Sequence, residues 1–170
     1  IITYTNAACD EIKRRLEFDN TFIVSTIHSF SWELIKTFQN DIRNWVRENL
    51  NREISELEAK QGTGRAGTKA ALDRATQIES KKKRLENIKT VKKFSYDPNG
   101  TNTGRDSLNH AEVISITASF LTEKDLMKQL VVKKYPILLI DESQDTKKEL
   151  IEAFFHIQNS FRNKFSLGIF

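Results

Sequence analysis

Four consecutive apolar residues, Ile137-Leu138-Leu139-Ile140, are introduced by Pro136 and run straight into two adjacent carboxylates, Asp141 and Glu142. So short an unbroken run predicts a strand buried on both faces of a parallel sheet. Its carboxyl end is where open α/β sheets bind ligands, and two acids stand there. The first acid of such a pair serves a hard cation such as Mg²⁺ through oxygen ligation, while the second orients or deprotonates a water. The same residues also make a buried strand followed by an acidic helix start, with Thr146-x-x-Glu149 as a capping box.

The flanking segments alternate in the same way. Ile1 to Tyr4 is β-branched and aromatic, and Thr5-Asn6 offers two helix caps ahead of Ala7 to Leu16. Phe22-Ile23-Val24-Ser25 predicts a second apolar strand, ending in Thr26-Ile27-His28-Ser29-Phe30. Trp32, Leu34, Ile35 and Phe38 mark the amphipathic helix that follows. Farther on, Asn109-x-x-Glu112 caps a helix carrying Val113, Ile114, Ile116, Phe120 and Leu121, and Thr122 opens another through Leu126 and Leu130. A helix with Leu150, Ile151, Phe154 and Phe155 leads to a last strand over Phe165 to Phe170. On local grounds Tyr4 is an ordinary strand residue, Thr5 or Asn6 a cap, and each of His28, His110 and His156 a packed or capping histidine.

Between these flanks the pattern is helical from Asn40 to about Lys93. Ile42, Trp45, Val46, Leu50, Ile54 and Leu57 form one apolar stripe, and Ala71, Ala75, Ile78, Leu85, Ile88 and Val91 a second. The glycine-rich turn Gly62 to Gly67 between them predicts a helical hairpin. Gly62-x-x-x-x-Gly67-Thr68-Lys69 imitates a phosphate-binding loop, but the order of Lys and Thr is reversed and no buried strand precedes it, so it is not the nucleotide site. The region from Lys60 to Lys93 carries eleven basic and three acidic residues, a net +8. The whole chain is only +4, so the remainder is −4 and the basic excess is local. A run such as Lys81-Lys82-Lys83-Arg84 is usually a solvated helix face, and otherwise a phosphate-binding one.

A chain of 170 residues, 38% of them hydrophobic, can bury one sizeable core with an appended helical piece. The single cysteine, Cys9, excludes an internal disulfide and fits a reducing, cytoplasmic compartment. No apolar run reaches the length of a membrane span. The chain opens inside a strand without a methionine, and is therefore expected to be a piece of a longer protein.

Taken together, three stretches are specific. Asp141-Glu142-Ser143-Gln144-Asp145-Thr146 resembles motif II (DExQDT) of the UvrD/Rep-type superfamily 1 DNA helicases. Thr3-Tyr4-Thr5-Asn6-Ala7-Ala8 resembles motif Ia, with Tyr4 for the usual Phe and without the Lys after Asn6. Thr26-Ile27-His28-Ser29-Phe30 resembles motif Ib, with Ile27 in a Phe position. The three stand in the family's order with a helical insertion between Ib and II.

The resemblance implies an α/β fold: a partial RecA-like P-loop NTPase parallel sheet with an inserted helical subdomain. The division is then residues 1–38 and 122–170 for the motor core and 39–121 for the insertion. It implies a parent that spends ATP, with Mg²⁺, to move along single-stranded DNA and at duplex junctions. In that reading Asp141 holds the metal, Glu142 activates the attacking water, and Gln144 senses the γ-phosphate. Tyr4, Thr5, Asn6, Thr26 and His28 face the single strand, and Tyr4 is expected to be partly open at a sheet edge. The phosphate-binding loop, motif III and the remainder of the motor would lie outside this stretch, so that alone it should neither bind ATP tightly nor hydrolyse it. Two other readings stand beside this one: a non-catalytic basic nucleic-acid-binding module, and the helicase part of a nuclease-linked enzyme.

Overall fold

The computed structural model describes residues 1–63 and 67–170. The centre of the Gly62–Gly67 turn, residues 64–66, lies outside the described residues. Two compact units emerge, one made of residues 1–37, 96–100 and 109–170, the other of residues 38–95 and 101–108.

The first unit is built on a four-stranded, wholly parallel sheet in the order β2-β1-β3-β4. Its strands are β1 (Ile2–Thr3), β2 (Ser25–Thr26), β3 (Ile137–Ile140) and β4 (Ser166–Ile169). Helices α1 (Asn6–Arg15) and α2 (Ile27–Ile35) follow β1 and β2, while α3 (Gln39–Thr63) and α4 (Lys69–Asn87) belong to the second unit. The first unit resumes with α5 (His110–Glu123) and α6 (Asp125–Lys134), and a last helix, α7 (Lys148–Ser160), joins β3 to β4. This is the α/β fold with a parallel sheet that the sequence implies, consistent with part of a RecA-like domain.

Register is fixed by Ile2 opposite both Ser25 and Ile140, and by Ile137 to Ile140 opposite Ser166 to Ile169. At Gly168 the strands approach so closely that an added Cβ would meet Leu139 Cδ2 at 2.8 Å. Helix α5 packs on α2 and α7, bringing Val113, Ile116, Phe120 and Leu121 into the core with Ile35, Phe154 and Ile157. The ring of Phe30 lies 5.0 Å from that of Tyr135 and 6.1 Å from that of Phe154.

The expectation that β3 is buried on both faces does not hold. Leu138 and Ile140 are sealed, but Ile137 is 67% exposed and Leu139 half-buried. Side chains alternate across a strand, and only one face of this one is covered. The second strand is also shorter than expected. Phe22 and Ile23 stay outside it and largely exposed, and only Ser25 and Thr26 pair with β1. With Tyr135, Ile137 and Leu139 they line an apolar cleft of about 370 Å³ at the amino-terminal ends of the strands.

Local signals at helix starts hold in two places and fail in two others. Thr5 caps α1 by accepting from the Ala8 N–H at 3.1 Å. Asn109 and Glu112 form a full capping box at α5, with both bonds at 2.9 Å. The expected box Thr146-x-x-Glu149 is absent. Helix α7 begins one residue later, after Lys147, which offers no side-chain cap, because the residues before it are used in a 3₁₀ turn. Thr122 lies inside α5 rather than at a helix start.

The second unit contains the hairpin of α3 and α4. Ile42, Val46, Leu50 and Ile54 repeat every fourth residue and are all buried; on α4 only Ala71 is, with Ile78 and Leu85 half-buried. The polar edge is tied by charge. Lys81 Nζ reaches Glu53 at 2.7 Å and Lys82 Nζ reaches Glu58 at 2.6 Å. Burial pushes the Glu53 carboxyl up, but the hydrogen bond and charge of Lys81 outweigh it and hold it below its ordinary range. Such partly exposed pairs contribute about 0–1 kcal/mol each. Two of the four cations in the Lys81 to Arg84 run are thus engaged within the hairpin itself.

Candidate functional site at the carboxyl ends of the strands

The chain passes from β1 to β2 on one side, then returns past β1 to place β3 on the other. The order therefore reverses between β1 and β3. Ligands in open α/β sheets bind at such a switch point, outside the carboxyl ends of the strands. Every residue singled out in the three motifs lies at those ends: Tyr4, Thr5 and Asn6 after β1, Thr26 and His28 at the end of β2, and Asp141, Glu142 and Gln144 after β3. The Asp141 N–H donates to the Ile2 carbonyl at 2.8 Å, which joins the ends of β1 and β3 directly.

Two adjacent residues on a strand start toward opposite faces. The backbone breaks that alternation at Glu142, which has φ 55° and ψ 44°, the left-handed region. A residue other than glycine there is uncommon and costs energy, and such positions cluster at functional sites. A 3₁₀ turn over Ser143–Asp145 follows, closed by the Asp145 and Thr146 N–H groups donating to the Glu142 and Ser143 carbonyls at 3.1 Å each. Within it the Gln144 side-chain amide donates to the Glu142 carboxylate. Asp141 is half-buried and Glu142 exposed. One or two carboxylates are the usual protein share of a magnesium shell, the rest being water and phosphate oxygens; the donor set at this turn fits that ion.

Beside the carboxylates runs a face of rings. Tyr4 is 42% exposed, at the end of a central strand rather than at a sheet edge. Its ring meets His28 edge-on, centroids 5.9 Å apart. His28 meets His110 at 5.0 Å, and His110 meets Tyr96 at 5.4 Å. Tyr4, His28 and His110, with Asp145, Thr146 and Lys147, line a cleft of about 220 Å³. Lys147 crosses it, its Nζ donating to Ser115 Oγ at 2.9 Å and to the Ala111 carbonyl at 3.4 Å.

Not all the motif residues present free side chains. Thr26 is buried and caps α2, its Oγ1 accepting from the Ser29 N–H at 3.2 Å and donating to Ser29 Oγ at 2.9 Å. Thr5 is exposed but serves as the cap of α1. The Asn6 amide donates to Asn99 Oδ1 at 2.7 Å. Tyr4 and His28 remain as the open surfaces.

The sequence carries no signal for His110 or Tyr96. Read from the sequence as a packed or capping residue, His110 does pack on the rings of His28 and Tyr96, while staying exposed to solvent.

The comparison that bears on this arrangement comes from the whole chain. It is similar to Gabija protein GajB of Bacillus cereus (strain HuB5-5). The two are 25% identical over 212 aligned positions, covering 88% of this chain and 31% of GajB. The chain thus spans less than a third of that relative's length. No family model matches the chain, and no solved structure matches it. No helix among the described residues is long and apolar enough to cross a membrane.

Burial, and secondarily the charge of His110, lower the His28 pKa below its ordinary 6.5. The unfolded chain then takes up a proton at His28 before the folded chain does. Stability from this group is complete above about pH 6.5 and declines as the pH falls through 6.5 toward the folded pKa. Urea unfolding midpoints measured from pH 8 to pH 5 should show this decline, and His28→Gln should flatten it. An equal slope in the variant would show that His28 is not strained by protonation.

Proposed function

We propose that this chain is a segment of the first motor domain of an ATP-driven enzyme that moves along single-stranded DNA, of the UvrD/Rep-type helicase kind. One observation carries the reading. The paired carboxylates and the Tyr4–His28 face lie at the carboxyl ends of neighbouring parallel strands, across the point where strand order reverses. The motif residues and the distant similarity to GajB support it.

The division of labour is the one that the motif resemblance implies. Asp141, half-buried at the strand end, would hold Mg²⁺, which on binding neutralises charge on phosphate oxygens. Glu142, turned aside by its left-handed backbone, accepts protons and orients water. Gln144, hydrogen-bonded to Glu142, is placed to sense a phosphate beside that water. Tyr4 and His28 offer the bases a stacking face that tolerates any sequence. Thr5, Asn6 and Thr26 hold the turns that present this face.

The test uses a longer chain that contains this segment. Its ATP hydrolysis should require Mg²⁺ and rise on adding single-stranded oligonucleotide, while the 170-residue chain alone should hydrolyse none. ATPase activity indifferent to single strands would sink the translocase reading, and turnover by the short chain would relocate the phosphate site.

A further inference from the structure

Residues 96–100 belong with the sheet unit, although the residues on both sides, 38–95 and 101–108, belong to the other. This five-residue excursion is closed by Asp97, whose carboxylate accepts from the Asn99 N–H at 2.9 Å and whose carbonyl accepts from the Gly100 N–H at 3.2 Å. A Cβ at Gly100 would fall 2.6 Å from Asp97 Oδ2, so a side chain there would displace the carboxylate that closes the turn. Its two ends of contact are specific. Asn99 accepts from Asn6 at 2.7 Å, and Tyr96 hydroxyl and His110 Nδ1 lie 2.5 Å apart.

Tyr96 is itself buried and held by Trp32, ring centroids 5.8 Å apart. Burial, with a smaller contribution from the charge of Asp97, pushes its hydroxyl up to about 12, so it keeps its proton at neutral pH. A hydroxyl that keeps its proton can donate it to His110 Nδ1, an arrangement that would leave the ring N–H on Nε2. The same imidazole packs edge-on against His28.

We propose that Tyr96, Asn99 and His110 are positioning residues for the nucleic-acid face, Tyr96 through His110 onto His28 and Asn99 onto Asn6. None of the three is a motif residue; Tyr96 and His110 act on the ring of His28, and Asn99 on the turn that Asn6 holds. The inference rests on the reading of Tyr4 and His28 as the single-strand face, with Asn6 holding the turn beside it.

The test combines ¹⁵N-detected histidine spectra with fluorescence anisotropy on a labelled thymidine oligonucleotide, using the 170-residue chain. Tyr96→Phe keeps the ring and removes only the hydroxyl. It should convert His110 from one tautomer to a mixture and weaken strand binding by about 2- to 10-fold, the worth of one hydrogen bond. His110→Ala should weaken binding at least as much, while His110→Gln, which can accept from Tyr96 and still donate, should restore most of it. Asn99→Ala should weaken binding independently, and its effect should multiply that of Tyr96→Phe. The double variant Tyr96→Phe/His110→Ala should be no worse than His110→Ala, because the two act in series. Binding unchanged in Tyr96→Phe and His110→Ala, with folded spectra, overturns the positioning role alone. A wild-type chain that gives dispersed histidine signals yet binds no oligonucleotide overturns the single-strand reading, and this role with it.

Discussion

Glu142→Gln, placed in a longer chain that hydrolyses ATP, should leave nucleotide affinity intact and cut turnover by about 100-fold or more, the usual yield of a positioned general base. The substitution keeps size and shape and removes the carboxylate charge that the proposed role requires. Asp141→Asn should behave differently. A half-buried carboxylate at the strand end is suited to a metal, and losing its charge should weaken Mg²⁺-dependent nucleotide binding as well as turnover. The pair of variants is read by isothermal titration of nucleotide in Mg²⁺ together with steady-state turnover. Equal losses of affinity in both would mean that the two acids share one task.

The left-handed backbone at Glu142 sharpens this expectation. A residue with a Cβ in that region costs roughly 1–2 kcal/mol, which glycine avoids. Glu142→Gly should therefore lose turnover as fully as Glu142→Gln without losing thermal stability. A variant that is both inactive and less stable would show that the Glu142 side chain, with its bond from Gln144, supports the turn rather than the chemistry.

Tyr4→Ala should weaken single-strand binding by about 1–3 kcal/mol, the worth of one base stacked on an aromatic ring. The ring is 42% exposed, beside His28 at the mouth of the cleft, so it is available to a base. Truncating a residue this exposed changes stability by only about 0.5 kcal/mol. The loss in anisotropy titrations is then a loss of contact and not of fold. Tyr4→Phe and Tyr4→Trp should retain affinity, since each keeps a π face. Unchanged binding by Tyr4→Ala would move the strand off this face.

How far the sequence alone carried can be judged residue by residue. The apolar run into Asp141-Glu142 is a signal of period and chemistry, and both are local. It placed a parallel strand and the two acids at the strand's carboxyl end. The caps at Thr5 and Asn109 were legible for the same reason, because a cap is a contact between residues three apart. The hairpin stripe over Ile42, Val46, Leu50 and Ile54 was legible as helical periodicity.

Other features needed the assembled chain. Whether β3 is covered on one face or two depends on which elements lie over it, and a continuous apolar run is compatible with both. The left-handed turn at Glu142 took the residues that would have capped α7, a competition between two local structures that propensity does not resolve. The basic run at Lys81 looked like one surface, yet Glu53 and Glu58 on α3 neutralise part of it across the hairpin. Helix α5, read in sequence with the insertion, lies instead in the sheet unit against α2 and α7. Above all, Tyr96 and His110 stand far from Tyr4 and His28 in sequence and match no motif. Periodicity, capping and motif spacing act within a few residues, so the sequence by itself determined the elements and the acids. Contacts between distant residues are chosen by packing, so only the tertiary structure decided which rings stand together around His28.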